Sequence, residues 1–180
     1  MQQHLEIEFK TLITKQEYDA LIKEFELQNS IFSQTNYYFD TPALELMKKK
    51  TVLRIRKKDK YKLTKKEKGS NGNEETSIYL TDEEALNMLN NGFNASIINE
   101  PYYVKQITAL TTLRCKCPYK DGTIFFDHSI YNNIEDYEIE YEANDYSTGK
   151  ETFESFLKEH NLVQQETISK SKRAFNSIIK

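Results

Sequence analysis

The sequence predicts an α+β protein built on roughly eight antiparallel strands, arranged as a barrel or a strongly curved sheet with a few helices. Three observations predict it. Short segments alternate apolar and charged residues with the two-residue period of a half-buried strand. Turns containing Gly, Asn, Asp or Pro separate them, and a minority of segments space their apolar residues as a helix does. At 180 residues the chain has the length of one domain, and the reading is a single domain over residues 1–180.

The elements follow in chain order. Leu5, Ile7 and Phe9 alternate with Glu6, Glu8 and Lys10, which gives a strand one apolar and one charged face. Tyr18, Leu21, Ile22 and Phe25 then recur at helical spacing behind Thr14, an N-cap with Glu17 as its capping-box partner. Residues 31–40, rich in Tyr, Phe and Thr, read as a strand ended by Asp40-Thr41-Pro42, with a short helical turn over 44–47. Residues 51–58 form the next strand, with Leu53 and Ile55 on one face and Arg54 and Arg56 on the other. A turn at Asp59-Lys60 leads into a strand over 61–67, and the loop Gly69-Ser70-Asn71-Gly72-Asn73 joins it to a strand over 74–80. Thr81 caps a helix that Asn91-Gly92 stops, and residues 94–107 read as short helical turns. A strand over 108–117, a turn over 118–122 and a hairpin of 123–130 with 134–142 follow. Phe153, Phe156 and Leu157 mark a helix over 149–160, and a last helix covers 168–179. The chain has no internal repeat and no low-complexity segment.

Bulk properties exclude several classes. With 38% apolar and 12% aromatic residues, this is a folding composition and not a disordered one. The net charge of −3 argues against nucleic acid as a partner, but the charge is segregated. Residues 48–68 hold twelve Lys or Arg and two acids, Asp59 and Glu67, while residues 131–145 hold six acids and no base. Cys115 and Cys117 share one face of a strand, a poor geometry for a disulfide, and fit a reduced, cytoplasmic protein. His4, His128 and His160 are scattered, without a zinc-ligand spacing. No apolar run is long enough to span a membrane, and no signal-peptide pattern precedes the first strand.

The charged strand faces carry the functional reading. Glu6/Glu8/Lys10, Arg54/Arg56, Lys62/Lys66, Arg114/Lys116 and Glu138/Glu140/Glu142 occupy alternate positions on five strands. A single such strand is what a half-solvated antiparallel sheet gives. Five together, nearly all ionic and grouped by sign, point to a lined interior that is wet or occupied, because unpaired buried charge is expensive. A polyanion with divalent cations fits: Lys and Arg match phosphate oxygens, and Glu supplies the hard oxygens that Mg2+ or Mn2+ prefer. Phosphoryl transfer needs positioning, charge neutralisation and a metal, so the lack of a nucleophile triad is no obstacle. The Gly69–Asn73 loop lacks a Lys-Ser/Thr ending, which excludes a P-loop.

Glu6-Ile7-Glu8-Phe9-Lys10 resembles the ExExK signature of the CYTH superfamily, the triphosphate tunnel metalloenzymes, in its version close to uncharacterised Firmicute-type members. Tyr38-Phe39-Asp40-Thr41, Leu53-Arg54-Ile55-Arg56, Leu63-Thr64-Lys65-Lys66, Glu75, Arg114, Asp127, Glu138-Ile139-Glu140 and Lys170 with Arg173 match the family in the same order. The resemblance implies a closed eight-stranded antiparallel barrel, a tunnel, with helices packed outside. It implies phosphate binding by Lys10, Arg54, Arg56, Lys66, Arg114 and Lys170, with Lys172 competing for the last role. It implies Mg2+ or Mn2+ held by Glu6, Glu8, Asp127, Glu138 and Glu140, with Glu8, Glu138 or Glu140 positioning the attacking water. Lys65 stands where the family carries an apolar residue and is expected to snorkel outside the barrel. Glu142 reads as a rim residue, and Tyr37, Tyr38, Phe125 and Phe126 as packing.

The leading function is metal-dependent hydrolysis of inorganic triphosphate or a small organic triphosphate. A class IV-type adenylate cyclase on the same scaffold is the nearest alternative, and a non-catalytic polyphosphate or nucleotide sensor is the next. Nucleic-acid binding through residues 48–68 is a fourth, opposed by net charge and by the lack of a base-reading module. The expected partner is a small-molecule triphosphate or nucleotide, with no nucleic acid and no membrane.

Overall fold

A computed structural model describes residues 2–69 and 72–178. Ser70, Asn71 and Ile179, which the sequence reading placed in a loop and in the last helix, lie outside the described residues. The strands are β1 (Gln2–Ile13), β2 (Phe32–Asp40), β3 (Thr51–Lys57), β4 (Tyr61–Lys68), β5 (Asn73–Leu80), the two-residue β6 (Phe93–Asn94), β7 (Tyr103–Tyr119), β8 (Gly122–Tyr131) and β9 (Ile134–Ala143). The helices are α1 (Lys15–Glu24), α2 (Glu45–Lys48), α3 (Asp82–Asn91), α4 (Tyr146–Glu159) and α5 (Lys170–Asn176). Strand order is β2-β3-β4-β5-β1-β9-β8-β7-β6, and β2 also pairs with β7. The eight longer strands thus close into an antiparallel barrel, to which β6 adds a short ribbon on β7.

Two compact units divide the chain. The first takes the residues up to Leu5, Gln34–Leu110 and the residues from Lys170 on. Its core gathers Phe39, Leu53, Ile55 and Leu63 from one strand face with Leu46 of α2 and Ala85 of α3. Leu46 reaches that core because Asp40 organises the turn before it. The Asp40 carboxylate, 1% exposed, accepts hydrogen bonds from the backbone N–H groups of Thr41 (2.7 Å), Leu46 (2.9 Å) and Met47 (2.9 Å). One acid thereby satisfies donors that the start of a helix leaves open.

The second unit takes Glu6–Ser33 and Thr111–Ser169. Its core packs Cys115, Ile124, Phe126, Ile139 and Tyr141 against Leu21 and Ile22 of α1 and Phe153, Phe156 and Leu157 of α4. Gly149 of α4 sits where a Cβ would meet the Cβ of Ala143 and the Phe9 ring. Thr14 and Glu17 form the capping box that their spacing predicts, and Thr81, predicted to cap α3, forms a second one with Glu84. The β8–β9 turn is Asn132-Asn133, with φ of 45° and 64°, the pair of positive values that a type I′ hairpin requires and Asn tolerates.

Three expectations are corrected. Residues 94–107 are not a run of helical turns: a 3-10 turn covers Ala95–Ile98, and β7 begins at Tyr103. Pro118 and Tyr119 belong to β7, so that turn shrinks to Lys120 and Asp121. Lys65 does not snorkel. It is 8% exposed, and its ammonium lies 2.9 Å from Glu67 and 3.3 Å from Glu100, itself 7% exposed. Burial acts to lower the Lys65 pKa, but its hydrogen bonds to Glu67 and Glu100 outweigh it and the net direction is upward.

Candidate metal and phosphate site

Within the first unit, antiparallel register turns the alternation of β2 to β5 into transverse rows. Asn36, Arg56, Lys62 and Tyr79 stand opposite one another, and two residues along stand Tyr38, Arg54, Thr64 and Ser77. Lys66 faces Glu75 in the next row. Glu75 Oε1 accepts from Arg54 Nη2 at 3.3 Å and lies 3.8 Å from Lys66 Nζ, so one acid ties two bases into a fixed basic surface. Arg56 Nε donates to Asn36 Oδ1 at 3.1 Å. Lys62 Nζ lies 5.7 Å from the exposed ring of Tyr79. Helix α5 belongs to this unit and sets Phe175 against Tyr38, on the face that carries Arg54. On α5, half-buried Lys170 shares a side with buried Ala174, while Lys172 is exposed with Asn176.

Within the second unit the rows mix acids with bases. Arg114, Asp127, Glu138 and Leu12 stand opposite one another, and the next row carries Lys116, Phe125, Glu140 and Lys10. Carboxylate oxygens of Asp127, Glu138 and Glu140 lie within 4.8 Å of one another. Asp127 and Glu138 are 0% exposed and Glu140 is 8%. The Arg114 fork spans the group: Nε donates to Asp127 Oδ1 at 2.6 Å, and Nη2 donates to Asp127 Oδ2 and Glu140 Oε2 at 2.5 Å each. Its Cζ lies 4.5 Å from the centre of the Phe125 ring. Burial alone would lower the Arg114 pKa, but the charges of Asp127 and Glu140 reverse that and hold it above the ordinary guanidinium range.

Three carboxylate oxygen donors at this spacing fit a hard divalent cation better than a soft, thiolate-preferring one. Of the five residues expected to hold metal, the fold gathers Asp127, Glu138 and Glu140. Glu6 and Glu8 stand on β1, where Glu8 faces Glu142 in register and its Oε1 accepts from Lys10 Nζ at 2.7 Å. Glu142 is half-buried on the same strand face as Glu140, two residues on.

Phe125 packs on the charged face, beneath Arg114. The signal was available, because Phe125 alternates with Thr123 and Asp127 and not with the core residues Ile124 and Phe126. Tyr38 does pack, against Phe175, and Phe126 is core. Asn36 and Tyr79 carry no charge, so charge alternation in the sequence does not point to them. No helix among the described residues is long and apolar enough to cross a membrane.

The chain matches the CYTH domain family model over residues 4–175. It is 37% identical, over 97% of its length and 96% of the relative's, to the Bacillus subtilis (strain 168) protein YjbK, provisionally named a triphosphatase. A crystal structure from Bacillus halodurans, provisionally named an adenylate cyclase, superposes with a TM-score of 0.89 at 32% identity, covering 97% of this chain and 100% of that one. HpAC1 from Hippeastrum, described as a provisional adenylyl cyclase with dominant triphosphatase activity, shares the fold at a TM-score of 0.74 and 20% identity, covering 96% of each chain.

Proposed function

The chain belongs to the CYTH domain family, and on that premise we propose that it is a divalent-metal-dependent triphosphatase acting on inorganic triphosphate or a small organic triphosphate. The observation that carries this reading is the convergence of Asp127, Glu138 and Glu140 with Arg114 on adjacent strands. Phosphate binding alone needs cations. Arg114 offsets only one of the three carboxylate charges, and the remaining negative charge opposes a triphosphate unless a metal stands between them, so these acids speak for a metal centre rather than for a passive phosphate sensor. The 37% identical relative with a triphosphatase name supports the same reading.

In this mechanism Asp127, Glu138 and Glu140 would hold Mg2+ or Mn2+, with Glu6 and Glu8 of β1 as the further proposed ligands. A cation held there would supply Lewis-acid polarisation of a phosphoryl oxygen and would lower the pKa of water. The residues proposed to bind and orient phosphate oxygens are Arg54, Arg56, Lys66 and Lys170 in the first unit and Lys10 with Arg114 in the second. Lys170 takes the C-terminal role in preference to Lys172 because it is the half-buried member of the pair. One of Glu8, Glu138 and Glu140 orients the attacking water and accepts its proton. The transferred group gathers charge on its outer oxygens, so a fixed basic surface such as the Glu75-tied Arg54–Lys66 pair is worth more than mobile lysines. The family match runs through both compact units, which supports treating residues 1–180 as one functional domain.

Cyclisation of a nucleoside triphosphate is the second reading, favoured by the name of the Bacillus halodurans relative. A single experiment separates the two. Pure protein is incubated with tripolyphosphate, thiamine triphosphate or ATP, each with Mg2+, Mn2+ or EDTA, and phosphate, pyrophosphate and cyclic AMP are measured. Cation-dependent phosphate release without cyclic AMP is the expected result. Cyclic AMP with pyrophosphate would establish the cyclase, and tight binding without any turnover would establish a sensor.

A further inference from the structure

We propose that Arg114 is an internal competitor of the metal: its guanidinium and the divalent cation contend for the same carboxylate oxygens of Asp127 and Glu140, and loading the cation releases the guanidinium to substrate phosphate. The inference rests on the metal reading of Asp127, Glu138 and Glu140 given above. It goes beyond that reading in making Arg114 a coupling element and not a fixed phosphate ligand.

The geometry carries it. Arg114 occupies both oxygens of Asp127 and one of Glu140, at 2.5–2.6 Å. Its Nη2 stands between two of the three carboxylates that converge within 4.8 Å. A cation that draws those oxygens to coordination distance takes the lone pairs the guanidinium now holds, and two positive charges a few ångströms apart repel. Arg114 cannot shed its charge to relieve the repulsion, because a guanidinium stays protonated in a protein whatever surrounds it. It must move. Phe125 gives it a path, since the flat guanidinium lies over the ring at 4.5 Å and a ring face attracts it across a range of lateral positions. An incoming phosphate then offers the freed fork the bidentate partner that it lost. Metal and phosphate consequently bind with positive coupling, which by linkage works equally in both directions.

The test is calorimetric titration of Mn2+ into the whole protein at pH 8, without substrate, for wild type, Arg114→Gln and Arg114→Lys. Arg114→Gln removes the competing charge and is expected to bind Mn2+ about tenfold or more tightly than wild type, within the usual span of site coupling. Arg114→Lys keeps the charge but loses the fork, and is expected to fall between the two. Equal or weaker Mn2+ binding by Arg114→Gln, with wild type still binding, overturns the competition. Absence of Mn2+ binding in every form overturns the metal reading beneath it, so the two failures are distinguishable. If Arg114→Gln does not fold without metal, the Lys variant decides: Mn2+ affinity no higher than wild type refutes the proposal.

Discussion

Asp40 lies in the family-like Tyr38-Phe39-Asp40-Thr41 segment, yet its geometry gives it a structural task. Replacing it with Ala removes the acceptor for three backbone donors at once, those of Thr41, Leu46 and Met47. A buried donor left without a partner costs about 1–3 kcal/mol. Met47 is only half-buried, so water recovers part of its share. The expected loss is therefore about 3–6 kcal/mol, corresponding to a melting temperature lower by roughly 10–20 °C for a chain of this size. Loss of α2 would also loosen Leu46, which is 0% exposed in its unit's core. Asp40→Asn keeps one oxygen for two of the donors, and about half the loss is expected from it. Urea unfolding followed by circular dichroism gives the free energies, and Mn2+ titration at low temperature tests the folded fraction. A loss below about 1 kcal/mol would refute the capping argument. Normal stability with abolished Mn2+ binding would move Asp40 into the functional set.

Further predictions concern chemistry and packing. Glu140→Gln is expected to lower cation-dependent triphosphate turnover at least about 100-fold while the circular dichroism spectrum stays native, and surviving activity would remove Glu140 from the metal set. Burial pushes the Cys115 thiol from its ordinary value near 9.0 up to about 12. The folded state then keeps a proton that the unfolded state has lost, so stability is full below pH 9 and falls as pH rises above it, by about 1.4 kcal/mol per unit from this group. Tyr141, also raised to about 12 by burial, adds to the fall from its own ordinary value near 10.0 upward. Denaturation curves from pH 8 to 11 should show a shallower slope for Cys115→Ala, and an unchanged slope would count against the assignment. Gly149→Ala gains helix propensity worth about 1 kcal/mol but forces a methyl against Ala143 and Phe9, for a net loss of about 1–2 kcal/mol in chemical denaturation.

Alternation made the barrel strands legible because a two-residue period survives in any strand with one charged face. It failed at the start of β7, where Val104, Ile107 and Leu110 lie three apart and imitate a helix. The helix starts were legible because Thr14, with Glu17 within one turn, and Thr81 are N-capping residues placed just before the helical pattern. Lys65 was not, since the Glu100 that makes its burial tolerable lies 35 residues away. The metal trio was legible as residue types but not as a group. The pairing of β8 with β9, which sets Asp127 opposite Glu138, brings Asp127, Glu138 and Glu140 together. Arg114 was legible as a base, but its engagement with two acids follows from register alone.

The Asn132-Asn133 turn has a bearing on how this sequence can drift. It fixes Asp127 opposite Glu138. Deleting or inserting one residue there would shift β9 by one place and exchange its faces. Glu138 and Glu140 would then point into the apolar packing of α1 and α4, and Ile139 and Tyr141 would replace them among the charges. Surface loops elsewhere tolerate lengthening at about 0.6 kcal/mol per doubling. This hairpin is instead a ruler whose length is part of the site, and descendants that keep the chemistry should vary in residue identity at 132 and 133 long before they vary in residue number.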